Sequence, residues 1–139
     1  MTQFQRISVI IVDDHRILES WKALLEYDQR IEVLAICRDG EDALNKIINF
    51  KPDIALVDVK MKPINGFELT ETICKDYPST KVIGLSVSNQ LNYVQKMMEA
   101  GAKGYLTKTS PLDEISHAII EVHKGSEYIC EEIKKKNNS

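Results

Sequence analysis

Short apolar runs of strand length alternate with segments of helical period along most of this chain. Ile7-Ser-Val-Ile-Ile-Val12 is β-branched and apolar, the composition of a buried strand. Ile17, Leu18, Trp21, Leu24 and Leu25 then recur at the spacing of one helix face. Ile31 to Ile36 reads as a second strand, Asp39-Gly40 as a turn, and Ala43, Leu44, Ile47 and Ile48 as the next helical face. Pro52-Asp53 breaks that helix, and Ile54-Ala-Leu-Val57 is a third strand that ends on Asp58. A loop with Pro63 and Gly66 leads into a helix through Phe67, Leu69, Ile73 and Cys74, and Tyr77-Pro78-Ser79 stops it. Val82 to Leu85 is a fourth strand, ending on Ser86, followed by a helix through Leu91, Val94, Met97 and Met98 that closes at Gly101. Gly104 to Leu106 is a very short fifth strand that ends near Lys108. Ser110 is expected to cap a last helix with Pro111 at its first position and Leu112, Ile115, Ala118, Ile119 and Val122 on its apolar face. Five strands alternating with five helices predict an α/β fold, a parallel sheet with helices on both faces. Right-handed crossovers leave few topologies open.

The chain has 139 residues, 43% of them apolar and 28% charged, which suits one globular domain with a real core. A net charge of −3 gives no global field that favours nucleic acid, so DNA contact is not expected from this segment. Cys37, Cys74 and Cys130 lie far apart and form no C-x-x-C pair, so they read as thiols in a reducing compartment. No apolar run reaches membrane-span length and no apolar signal core opens the chain, so a cytoplasmic setting is expected. Residues 1–125 are read as the folded domain, and 126–139 as a polar tail or the start of a linker, with Lys134 to Lys136 solvated.

In an open doubly wound sheet, ligands bind beyond the carboxyl ends of the strands. Asp13 and Asp14 follow the first strand, Asp58 ends the third, Ser86 the fourth, and Lys108 follows the fifth. Clustered carboxylates repel one another unless a hard divalent cation sits among them, and Mg²⁺ prefers such oxygen ligands. A carboxylate is also a nucleophile toward phosphorus. Lys108 would meet phosphate oxygens as a point charge, and Ser86 would donate a hydrogen bond. Taken singly, each residue has a plainer reading: Asp14 or Ser86 as a helix cap, Lys108 as a surface lysine. The arrival of all five at matching strand ends is the specific signal.

The segments Ile10-Ile-Val-Asp-Asp-His15, Ala55-Leu-Val-Asp-Val59, Gly84-Leu-Ser-Val-Ser-Asn89 and Gly104-Tyr-Leu-Thr-Lys-Thr109 resemble the response regulator receiver family of two-component signalling. The resemblance runs from about Ile7 to about Gly125 and is nearest to the NarL/FixJ type. It implies the flavodoxin-like receiver fold, with strand order 2-1-3-4-5. It implies Asp58 as phosphoacceptor, and Mg²⁺ held by Asp13, Asp14, Asp58 and the carbonyl of Lys60. It further implies Ser86 as the switch hydroxyl, Lys108 as the lysine that pairs with the phosphoryl group, and Tyr105 as the aromatic whose position tracks activation. The implied partner is a sensor histidine kinase or phosphotransfer protein. The implied role is regulatory rather than enzymatic beyond the domain's own phosphorylation and dephosphorylation. The output is expected from the surface of the fourth helix, fifth strand and fifth helix. It would run through a homodimer or a LuxR-type helix-turn-helix outside this segment; the alternative is a stand-alone regulator acting on other proteins.

Three departures from the family pattern stand out. Lys62 occupies the position where proline is usual, with proline next at Pro63; Lys60 and Lys62 place positive charge near the phosphate; and Val87 is bulkier than the usual small residue. His15 is expected to open the first helix or to support the acidic pair, and His117 and His123 to lie on the surface. Rival folds lack their own requirements. A haloacid-dehalogenase-type phosphatase needs an aspartate where Lys60 stands. A flavodoxin needs a phosphate loop where Asp13 and Asp14 would repel it. A P-loop hydrolase needs G-x-x-x-x-G-K-[ST]. A degenerate receiver would have lost one of the acidic or lysine positions, and all are present.

Overall fold

The computed structural model describes residues 5–14, 18–61, 64–87 and 89–137. The readings of His15, Ile17, Lys62 and Pro63 lie outside the described residues. The elements alternate as expected: β1 (Ile7–Val12), α1 (Leu18–Glu26), β2 (Ile31–Cys37), α2 (Gly40–Phe50), β3 (Ile54–Asp58), α3 (Gly66–Asp76), β4 (Lys81–Ser86), α4 (Leu91–Glu99), β5 (Gly104–Thr107) and α5 (Leu112–Lys124). The sheet order is β2-β1-β3-β4-β5-β6, with every pairing parallel. Its first five strands follow the expected order 2-1-3-4-5.

The central strands are buried because their residues are apolar on both faces. Every residue of β3 is buried, and Val9 to Val12 of β1 are inaccessible to solvent. Helix α1 packs against α5, and α2, α3 and α4 touch in succession, so the two groups cover opposite faces of the sheet. Local signals set the helix ends. The Asp39 side chain accepts from the Asp42 amide at 2.8 Å to start α2. Asn65 starts α3 by accepting from the Glu68 amide at 2.9 Å, while its own Nδ2 donates to Glu68 Oε1 at 2.9 Å. Gly101 and Gly125 take φ of +113° and +109° where α4 and α5 stop.

Two expectations are corrected. Helix α5 begins at Leu112 with Pro111 in the cap position and no side-chain cap, rather than at Pro111 capped by Ser110. The Ser110 hydroxyl is instead 3.1 Å from Thr107 Oγ1, a tertiary partner that the local pattern does not reveal. The sheet also has six strands, not five. Residues 126–139 are expected as a tail or linker, but the described part of that stretch holds β6 (Tyr128–Ile129) and α6 (Glu131–Asn137). Tyr128 and Ile129 pair with Gly104 and Tyr105, and Cys130 and Ile133 are 0% and 2% exposed. Burial of these apolar side chains anchors a segment that is otherwise charged. Glu131 and Glu132 in the first turn of α6 and Lys134 to Lys136 in its last also suit the helix dipole.

Candidate functional site

Strands β1, β3, β4 and β5 are neighbours, so the residues at their carboxyl ends meet along one edge of the sheet. Backbone hydrogen bonds beyond the strands hold that edge together. The Asp13 amide donates to the Cys37 carbonyl at 2.9 Å, Val59 to Leu85 at 3.0 Å, and Lys108 to Ser86 at 2.8 Å. Asp13, Asp58 and Ser86 are 1%, 2% and 1% exposed, while Asp14 is exposed. Carboxylate oxygens of Asp13, Asp14 and Asp58 all lie within 4.8 Å of one another. The Lys108 ammonium reaches into this cluster, 2.6 Å from Asp13 Oδ2 and 3.5 Å from Asp58 Oδ2.

Among the described residues, three carboxylates face one ammonium, which sits closer to Asp13 than to Asp58. Burial, and next the Asp13 carboxylate, hold the Asp58 carboxyl above the usual carboxylate range; Lys108 and the Lys60 amide act in the opposite direction. Asp58 ionised is thus a stored cost in the fold. A carboxyl whose folded-state pKa is raised disfavours folding once the pH exceeds its unfolded value, and most above its folded value. Asp58→Asn is therefore expected to stabilise the metal-free protein at neutral pH by on the order of 1 kcal/mol, or about 3 °C in Tm. Thermal unfolding in a chelator checks this, and a variant less stable than the parent would contradict it.

The donor set suits a hard cation: several oxygens of one sign, partly buried, open on the Asp14 side. Among the described residues the cluster holds oxygen donors alone, and Cys37 of β2 meets Asp13 through its backbone carbonyl. Lys60 belongs to the same turn, its amide donating to Asp58 Oδ1 at 3.2 Å. Its side-chain ammonium lies 5.2 Å from the centre of the Tyr93 ring.

Glycines shape the turn and the strand below it. A Cβ on Gly66 would fall on the Asp58 carbonyl oxygen and 2.7 Å from Val59 Cα. Gly66 thus lets α3 begin against the backbone of the Asp58 turn, and its amide donates to the Val59 carbonyl at 3.0 Å. Gly84 does the same for Tyr105: a Cβ there would meet Met97 Cε at 3.0 Å and Tyr105 Cδ2 at 3.1 Å. Tyr105 is accordingly fully buried, turned inward and hydrogen-bonded to Ser86. Burial pushes its hydroxyl up to about 12, with the Ser86 hydrogen bond opposing. The structure brings together Asp13, Asp14, Asp58, Ser86, Tyr105 and Lys108. His117 and His123 are exposed on α5. The helical spacing of Met97 marked it for the core, while the close approach at Gly84 had no signal in the sequence, because it depends on packing between β4, α4 and β5.

The fold and site together define a doubly wound α/β domain with an acidic, lysine-containing pocket at its carboxyl edge. The chain belongs to the response regulator receiver domain family, which matches residues 9–120. It is a receiver domain of two-component signalling, and LuxR-family and NarL regulators are among the proteins it is similar to. The transcriptional regulatory protein DegU of Brevibacillus brevis is 35% identical over 125 residues, 89% of this chain and 53% of its own length. The oxygen regulatory protein NreC of Staphylococcus epidermidis is 31% identical, covering 88% of this chain and 57% of its own length. The chain thus spans about half the length of the curated relatives it matches. A LuxR-family response regulator from an Aurantimonas species superposes with a TM-score of 0.89 at 26% identity, covering 94% of both chains. The signal receiver domain of the response regulator NarL from Mycobacterium tuberculosis superposes with a TM-score of 0.81 at 28% identity, covering 87% of this chain and 98% of its own. Among the described residues, no helix is long and apolar enough to cross a membrane.

Proposed function

We propose that Asp58 accepts a phosphoryl group from a phosphohistidine on a sensor kinase or phosphotransfer protein. The observation that carries this is the convergence of Asp13, Asp14 and Asp58 oxygens within 4.8 Å, with the Lys108 ammonium between Asp13 and Asp58. An Asp58 carboxylate oxygen forms the bond to phosphorus as the phosphorus–nitrogen bond of the donor imidazole breaks, and the nitrogen keeps the electron pair. Asp13, Asp14, Asp58 and the Lys60 carbonyl would hold Mg²⁺, which would neutralise charge on the incoming phosphoryl group.

The chain's own groups do the rest. Lys108 moves its charge outward from Asp13 to the new oxygens, and the Ser86 hydroxyl leaves Tyr105 to donate to them. Positioning and charge stabilisation are the main demands of phosphoryl transfer, and these side chains meet both. Reorganisation of Ser86, Tyr105 and the Lys108 loop shifts a two-state equilibrium on the α4–β5–α5 face. We further propose a cytoplasmic setting and an output in transcription, through dimerisation and a DNA-binding segment of the longer protein. Relatives whose length the chain covers only by half support that reading.

A titration with beryllofluoride and Mg²⁺, followed by amide NMR shifts, tests the acceptor. Ser86, Tyr105 and Lys108 shift in the wild type and stay still in Asp58→Asn; equal shifts in both proteins would reject the assignment. A second expectation concerns lifetime. Val87 follows Ser86 and is 73% exposed, a branched side chain beside the phosphoryl group's path to water. Val87→Ala is expected to shorten the aspartyl-phosphate half-life by about two-fold or more, roughly 0.4 kcal/mol in barrier. A half-life in the variant equal to or longer than the parent's removes Val87 from that role.

A further inference from the structure

We infer that α6 is a latch on the output face, released when the Asp58 site is loaded. This rests on the phosphoacceptor reading and names its consequence in this chain. Helix α6 lies between the α4 and α5 sides of the sheet edge. Ile129, Ile133 and Lys134 line one cavity with Leu91, Val94 and Gln95 of α4. Glu131, Glu132 and Lys135 line another with Glu114 and His117 of α5. Part of the α4–β5–α5 surface on which a receiver's switch would be read is thus already met by the chain's own C-terminal helix.

One carboxylate joins that helix to both loops that leave the site. Glu132 Oε1 accepts from Thr107 Oγ1 at 3.2 Å and from Thr109 Oγ1 at 3.0 Å, the two neighbours of Lys108. Glu132 Oε2 accepts from Asn89 Nδ2 at 3.1 Å, three residues beyond Ser86. Lys136 Nζ adds a bond to Asn89 Oδ1 at 3.1 Å. The junction of β6 and α6 also hangs on the switch tyrosine, since the Cys130 amide donates to the Tyr105 carbonyl at 3.0 Å.

These bonds fit the loop as it stands, with Lys108 drawn in to 2.6 Å from Asp13. Phosphoryl oxygens stand farther out than the Asp58 carboxylate that carries them, so pairing with them moves Lys108 and its two threonines outward. Hydrogen bonds at 3.0–3.2 Å to one carboxylate do not tolerate an ångström of such movement. Docked α6 therefore favours the unloaded site, and by reciprocity a loaded site favours free α6. A released α6 withdraws Ile133 from its buried position and further exposes Val94 of α4 beside the already exposed Leu91.

Hydrogen exchange of the Ile133 and Lys134 amides, which bond to the Cys130 carbonyl, reads the latch directly. The 139-residue chain is compared with and without beryllofluoride and Mg²⁺, with loading verified by the Asp58-dependent NMR shifts. Loading is expected to lower protection of both amides by about five-fold or more. Glu132→Ala is expected to start at the lowered protection and to bind beryllofluoride more tightly by the same factor. Glu132→Gln, which keeps an oxygen for the threonine hydroxyls, falls between. Unchanged or increased α6 protection in a chain shown to be loaded overturns the latch while leaving Asp58 as acceptor. Equal beryllofluoride affinity in folded Glu132→Ala and wild type overturns it independently. Failure of the wild type to load removes the acceptor reading, and the latch with it.

Discussion

Replacing Lys108 by methionine is expected to cost about 3 kcal/mol in the absence of divalent cation, the scale for removing one partner from a buried ion pair. Methionine keeps much of the side-chain volume, so the loss isolates the charge. The Lys108 side chain is 6% exposed and serves two carboxylates that are 1% and 3% exposed. Without it, Asp13 and Asp58 remain close and buried with their repulsion unscreened. Two conditions should return stability. Mg²⁺ stabilises the folded state in proportion to its occupancy of the acidic pocket. Acid does so as well, with a definite sign. Lys108 is among the groups that lower the already raised Asp58 carboxyl, so its loss raises that carboxyl further. The deficit is then full above that titration and shrinks as the pH falls through it. Urea unfolding in a chelator at neutral and mildly acidic pH checks both points. A variant as stable as the parent in chelator would show that the cluster is already screened by solvent.

Gly66→Ala is expected to cost about 3 kcal/mol, at the upper end for overpacking, although it adds a single methyl group. The new Cβ would meet the backbone at Asp58 and Val59 rather than a side chain that can rotate away. Either α3 or the Asp58 turn must move. The same change should therefore weaken Mg²⁺ and beryllofluoride binding by about ten-fold, as about 1.4 kcal/mol of site geometry is lost. Gly125→Ala is the natural control. Nothing lies within 4 Å of its added Cβ, but its φ is +109°. It should cost only about 1 kcal/mol from backbone strain and leave the acidic pocket untouched. Chemical denaturation paired with metal titration separates the two, and equal metal affinity in wild type and Gly66→Ala would break the proposed link between that glycine and the site.

Much of this was legible in the sequence for a physical reason. Central parallel strands bury both faces, so β1, β3 and β4 appear as continuous apolar runs whose ends are marked by the first polar residue. Those end residues are Asp13, Asp58 and Ser86, so finding the strands located the chemistry. The β6–α6 segment was not legible on the same terms. A two-residue strand has no period, and Ile133 is one apolar residue among charged neighbours. Its placement is decided by Tyr105 and α4, both distant from it in sequence. The start of α5 was misplaced by one residue because Ser110 found a partner in Thr107 rather than in the helix. The contact of the Lys60 ammonium with Tyr93 on α4 is likewise invisible to local reading. Glu132 had no signal at all. Its partners are 23, 25 and 43 residues away, and only the folded sheet edge brings them together.

The central claim is that Asp58, supported by the acidic pocket and Lys108, takes a phosphoryl group. Intact mass after incubation with acetyl phosphate tests it most directly. The account predicts one added phosphoryl group on the wild type in Mg²⁺, very little in chelator, and none on Asp58→Asn under either condition. Equal incorporation into Asp58→Asn, or full incorporation without any divalent cation, would contradict it.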